Sequence, residues 1–244
     1  MEAIQIDSRR ETTRALAVVL GFMCIGLLIT AISCLGFSIY FSNMIANAGS
    51  DKVALNSACN TINMIFFGGI IGMLVLSLVN SFALGRSKKG GWIPYALYAA
   101  VMGLVLAPTV MWIDTYTVGM AFGLTAGVFL VLFLIGFFSK ANLTPLGLIG
   151  LGLMFSVILV PLPFLILFII SPATYAIWNV IAAIATSVAI VLIVAFEANR
   201  MSREIQGGTF TYSSALYYAY SFYNDFILIF IRLLMVLVAN SNRN

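Results

Sequence analysis

Residues 118–138 read VGMAFGLTAGVFLVLFLIGFF and contain no charged side chain, no amide side chain and no proline. A helix of that length rises roughly 30 Å, the thickness of the hydrocarbon core of a bilayer. The stretch predicts a transmembrane helix, and the sequence around it repeats the pattern. Outward from it lie six further long apolar runs, at 15–41, 61–85, 92–113, 146–170, 173–196 and 213–238. Across the 244 residues, 62% are hydrophobic and 8% are charged, whereas soluble domains carry about 25% charged residues. Too little polar surface exists to coat a globule in water, so the solvent is lipid. The expected fold class is an all-α integral membrane protein, a seven-transmembrane helix bundle forming a single transmembrane domain over 1–244.

Composition also narrows the chemistry. The chain has no histidine, which removes the commonest metal ligand and the usual base near neutral pH. Cys24, Cys34 and Cys59 show no metal-ligand spacing and read as small hydrophobes. The expectation is therefore no enzyme and no resident cofactor. The net charge of +4 comes from Lys and Arg in tails and links, where it sets topology. Nucleic acid is not an expected partner; the lipid bilayer is.

Orientation follows from those cations. Arg9, Arg10, Arg14, Arg86, Lys88, Lys89, Lys140, Arg200 and Arg203 fall on one face, against Lys52 and Arg243 on the other. The positive-inside rule then places the N-terminus in the cytoplasm and the C-terminus outside. The first run follows Arg9, Arg10 and Arg14 as a signal peptide would, but it is about twice the length of a signal core and reads as a span. The longest links are expected at 42–60 and 197–212. Gly119, Gly123 and Gly127 recur every four residues, a stripe that predicts close helix packing. Pro161, Pro163 and Pro108 are expected to kink the fifth and third spans.

Ionisable groups at bilayer depth cost about 2.5–3.5 kcal/mol or more and face protein or water. Glu2, Asp7, Glu11, Asp51, Asp114 and Glu204 lie in tails or links. Asp225 and Arg232 lie inside the last run, and Glu197 lies where the sixth run ends. Asp225 and Arg232 are seven residues apart, which places them on one helix face about 10 Å apart. That spacing is too long for a helical ion pair. Tyr218 is seven residues before Asp225 and shares its face, positioned to offer a hydroxyl donor. The residues alone leave two readings open, an ion- or proton-handling site and a buried polar network that holds helices together.

At the last two spans a resemblance emerges. Ala215-Leu216-Tyr217-Tyr218, continuing to Asn224-Asp225-Phe226-Ile227-Leu228-Ile229-Phe230, looks like the closing A-L-x-L-Y-x-D-F-I-N-L-F helix of the transmembrane Bax inhibitor motif family. Phe196-Glu197-Ala198-Asn199-Arg200-Met201 is similar to its acidic segment at the end of the sixth helix. Met102-Gly103-Leu104-Val105-Leu106-Ala107-Pro108 resembles its S-G-x-x-L-x-P, and Ala121-Phe122-Gly123-Leu124-Thr125 supports the fourth helix. The resemblance implies a seven-helix fold with helix 7 central, of the small bacterial type in a plasma membrane. It also implies a pH-sensitive calcium leak gated by two acids that share a proton.

Carried over, the pair is Glu197 and Asp225, which would also hold calcium or another cation transiently, with Arg86 as a basic partner. Glu197 stands where the family has aspartate, and Arg232 where a neutral polar residue is usual. The latter adds a positive charge that opposes calcium entry. Two other functions fit the same residues: a proton-coupled transporter in which Asp225 is the carrier, and a non-transporting membrane regulator.

Overall fold

The computed structural model describes residues 2–49, 51–86, 91–159 and 172–241, with side chains at 10–49, 51–81, 91–155 and 181–239. Among these residues there are seven helices and no strand: α1 (Glu2–Ala48), α2 (Lys52–Arg86), α3 (Trp92–Val110), α4 (Thr115–Phe138), α5 (Thr144–Leu159), α6 (Pro172–Gln206) and α7 (Tyr212–Ser241). In hydrocarbon every backbone group must be paired within its own segment, which leaves the helix as the answer for an apolar run. Six helices are long and apolar enough to cross a membrane, and the described part of α5 is shorter. Pro161, Pro163 and the second half of the run at 146–170 lie outside the described residues.

The helices extend beyond the apolar runs that predict them. α1 ends at Ala48 and α2 begins at Lys52, so most of the link expected at 42–60 is helical. Likewise α6 continues to Gln206, through residues expected to be a link. An apolar run marks where lipid begins and ends, but helical hydrogen bonding continues into polar flanks until a stop signal intervenes. For α6 that signal is Gly207-Gly208. Gly208 has φ +66°, its N–H bonds to Ile205 O at 3.2 Å, and the Thr209 N–H bonds to Glu204 O at 3.1 Å. This pair of bonds is the Schellman closure, which needs a left-handed residue that glycine accepts without strain. Pro108 sits in the last turn of α3, which stops at Val110.

The chain forms two compact units. The first comprises α1, α2, α3 and α7 as far as Tyr223; the second comprises α4 from Met120, α5, α6 and α7 from Asn224. In the first unit α3 presses on α1 at Gly103, where an added Cβ would stand 2.5 Å from Thr30 O and 2.8 Å from Cys34 N. The same contact is bonded. The Ser33 hydroxyl donates to Ala100 O at 2.6 Å, and the Thr30 hydroxyl lies 2.9 Å from Ala99 O and 2.6 Å from the Tyr223 hydroxyl.

In the second unit α4 meets α6 backbone to backbone, Gly136 lying against Ala195, and α5 lays Gly147 under the Phe196 ring. The expected glycine stripe is not part of this packing. A Cβ added at Gly119, Gly123 or Gly127 would meet nothing within 4 Å among the described residues. Spacing identifies a face narrow enough for close approach; it does not say that another helix is there.

Candidate ion site in the second unit

Asp225 stands two residues into the second unit's part of α7 and is 6% exposed. Its carboxyl is in hydrogen-bond contact with that of Glu197 on α6. Two acids 28 positions apart in sequence thus meet inside one unit. Such a bond requires one proton between the two groups, because two carboxylates are both acceptors only. Asp225 Oδ2 is buried and has no hydrogen-bond partner among the described residues.

Local structure explains the placement. Phe226, beside Asp225, packs on Phe122 and Phe129 of α4, with ring centroids 5.3 and 5.9 Å away. That contact packs this part of α7 on α4, and Asp225 beside it is buried as well. Glu197 is half-buried and lies more than two turns before the end of α6, not at its terminus as the apolar run suggested.

Its height is set by Asn199, 2% exposed, whose amide donates to Gly136 O at 3.3 Å and Ser139 O at 2.8 Å and whose carbonyl accepts from Leu143 N at 3.4 Å. Arg203 donates to Ala141 O at 2.8 Å one turn further on. Asn199 and Arg203 thus tie α6 to the link between α4 and α5, and Glu197 is carried on the tied segment. In the sequence Asn199 stands out only as part of the Phe196–Met201 motif. Its signal was an amide side chain at the edge of an apolar run, where it must find backbone partners.

The remaining expected partners are placed differently. Arg86 ends α2, and its side chain lies outside the described residues. Arg232 is half-buried and faces a cavity formed with α4 and α6. Among the described residues it forms no ion pair with Asp225; Arg200 pairs with Glu204 at 3.4 Å. Tyr218 is buried in the first unit, its ring stacked on Phe210 and Phe222 with centroids 6.4 and 6.1 Å away. No group of three or more acidic or cysteine side chains gathers among the described residues. The two acids stand as a pair.

The comparisons agree with this architecture. No curated protein matches the chain. A family model described as Inhibitor of apoptosis-promoting Bax1 matches residues 12–243, a range that runs from within α1 to past the end of α7 and includes both acids. With its apolar helices and nearly its whole length accounted for, the chain belongs to the Bax inhibitor-type family of integral membrane proteins.

Proposed function

We propose that the protein is a pH-sensitive leak for cations, calcium foremost, gated by the proton that Glu197 and Asp225 share, and that it acts by conduction rather than catalysis. The observation that carries the reading is the buried contact between those two carboxyls. When the proton is present, it bonds α6 to α7. When it leaves, two negative charges face each other. At about 4 Å and an effective dielectric of about 20, unit charges repel by about 4 kcal/mol. That is a bias of roughly a thousandfold toward separation.

Separation admits water and leaves a site for a cation. Calcium takes about six to eight oxygens, so a pair of carboxylates supplemented by water holds it only in passing, as a conduction site requires. α7, the most buried of the six long apolar helices, is the central element in this reading. The N-terminus is cytoplasmic, the C-terminus is outside, and the host is a bacterial plasma membrane.

Calcium flux into proteoliposomes, measured across a pH series, tests the proposal. Wild-type flux should rise with pH, by no more than about tenfold per pH unit because one proton is released. Asp225→Asn should lose most of this pH dependence. Glu197→Gln should act in the same direction, and the double variant should add little, because coupled groups titrate as a unit. Glu197→Asp should move the midpoint and preserve gating. An Asp225→Asn protein that conducts calcium with the wild-type pH profile would show that the acids only hold α6 and α7 together.

A further inference from the structure

Arg232 faces a cavity of about 150 Å³ in the second unit, lined by Val128 and Leu132 of α4, Ser187, Ile190 and Val191 of α6, and Leu233 of α7. The lining is apolar apart from Ser187, whose hydroxyl is donated to Ala183 O at 2.8 Å. Among the described residues no hydrogen bond or ion pair reaches the Arg232 guanidinium. A guanidinium cannot shed its proton to escape this setting, and a charge in hydrocarbon without a counter-charge is costly. A negatively charged group of the surroundings would offset that cost.

Shape and depth say what it is. The apolar run of α7 gives way to Asn240-Ser241-Asn242 in the sequence, so Arg232 lies roughly 10 Å below the end of that run. From that depth an arginine reaches up to the headgroup level while its stem stays in the apolar layer. Val128 and Val191 in its lining are 41% and 42% exposed, so that side of the cavity faces the bilayer. An apolar cavity of about this size holds a benzene-sized piece of hydrocarbon. It accommodates a stretch of one acyl chain and not an entire lipid. A planar fork of N–H donors near the interface, above an apolar slot open toward the bilayer, matches a phosphate with a chain hanging beneath it.

We propose that this cavity binds an anionic phospholipid of the surrounding bilayer, its phosphate on Arg232 and part of one acyl chain between α4 and α6. A net negative headgroup is required because the cation of a zwitterionic headgroup competes with Arg232 for the phosphate. The proposal is independent of the acidic pair and of any flux.

The test is native mass spectrometry of the purified full chain in detergent micelles doped with either phosphatidylglycerol or phosphatidylcholine. Wild type should retain one phosphatidylglycerol about tenfold more tightly than Arg232→Gln, the loss expected for one charged hydrogen-bonding partner. Arg232→Lys should lie between them. Val191→Trp, at the exposed mouth, should block the chain and lose the adduct with the charge intact. Equal retention by wild type and Arg232→Gln would overturn the proposal. So would undiminished binding to Val191→Trp, equal retention of phosphatidylcholine, or a bound free fatty acid in place of the phospholipid.

Discussion

Asp114 shows how a single carboxylate acts at the edge of the membrane. It stands in the short link between α3 and α4, where its Oδ2 accepts the Thr117 N–H at 2.7 Å and caps α4. The Thr117 backbone N–H, and secondarily its hydroxyl, hold the Asp114 carboxyl below its ordinary value. A carboxyl depressed in the folded state stabilises that state above the unfolded pKa, about 3.9. The contribution is lost as pH falls through the folded value. Asp114→Ala should therefore lower the thermal midpoint in detergent at neutral pH, and the gap to wild type should close in acid. Asp114→Asn should keep most of the cap and lose the pH dependence. A gap that stays constant from neutral pH into acid would mean that the charge is not what caps the helix.

At the scale of the elements, glycines that look alike in sequence divide into two kinds. Gly136 lies against the Ala195 backbone, with Cα and C at 2.7 and 2.8 Å from an added Cβ, and backbone cannot rotate away as a side chain can. Gly136→Val should push α4 from α6 and cost about 1–3 kcal/mol or more. The same shift would strain the Asn199 bonds to Gly136 and Ser139, which carry the height of Glu197. Gly127 has nothing near it among the described residues. Gly127→Ala should change stability by no more than about 1 kcal/mol, in the stabilising direction, because glycine is the poorer helix former. Denaturant unfolding of both variants in detergent decides the matter. Equal losses would mean that Gly127 also serves a packed face.

At the scale of the whole molecule, topology is the testable property. The positive-inside count puts the link after α1 outside and the link after α6 in the cytoplasm. Asp51 and Thr209 are exposed in those two links, whereas Ser202, on α6, is 4% exposed and would react poorly. Single cysteines at Asp51 and Thr209, in a chain lacking the native Cys24, Cys34 and Cys59, should be labelled by an impermeant reagent from opposite sides of the membrane. Labelling of both from one side would contradict the seven-span arrangement. The same α7 belongs to both compact units, up to Tyr223 in one and from Asn224 in the other. Asp225 therefore sits just past the point where that helix passes from one unit to the other.

The sequence by itself determined the helical class, the positions of the apolar runs, the charges that do not belong in lipid and the family. Each of these is written in local composition: hydrocarbon demands apolar side chains and self-paired backbone over a stretch of fixed length. Both acids were legible for the same reason, since a carboxylate stands out against an apolar run. Only the tertiary structure decided what lies opposite what. Glu197 and Asp225 meet where Phe226 packs α7 on α4 and Asn199 ties α6 to α4 and the link after it, contacts between residues 97 to 104 apart for the former and 56 to 63 for the latter. Among the described residues Arg232 faces an apolar cavity and Gly127 meets nothing within 4 Å, although heptad spacing alone put the first on the face of Asp225 and tetrad spacing alone predicted a helix against the second. Periodicity assigns a residue to a face of its own helix; the neighbour on that face is set by packing over distances that local pattern does not encode.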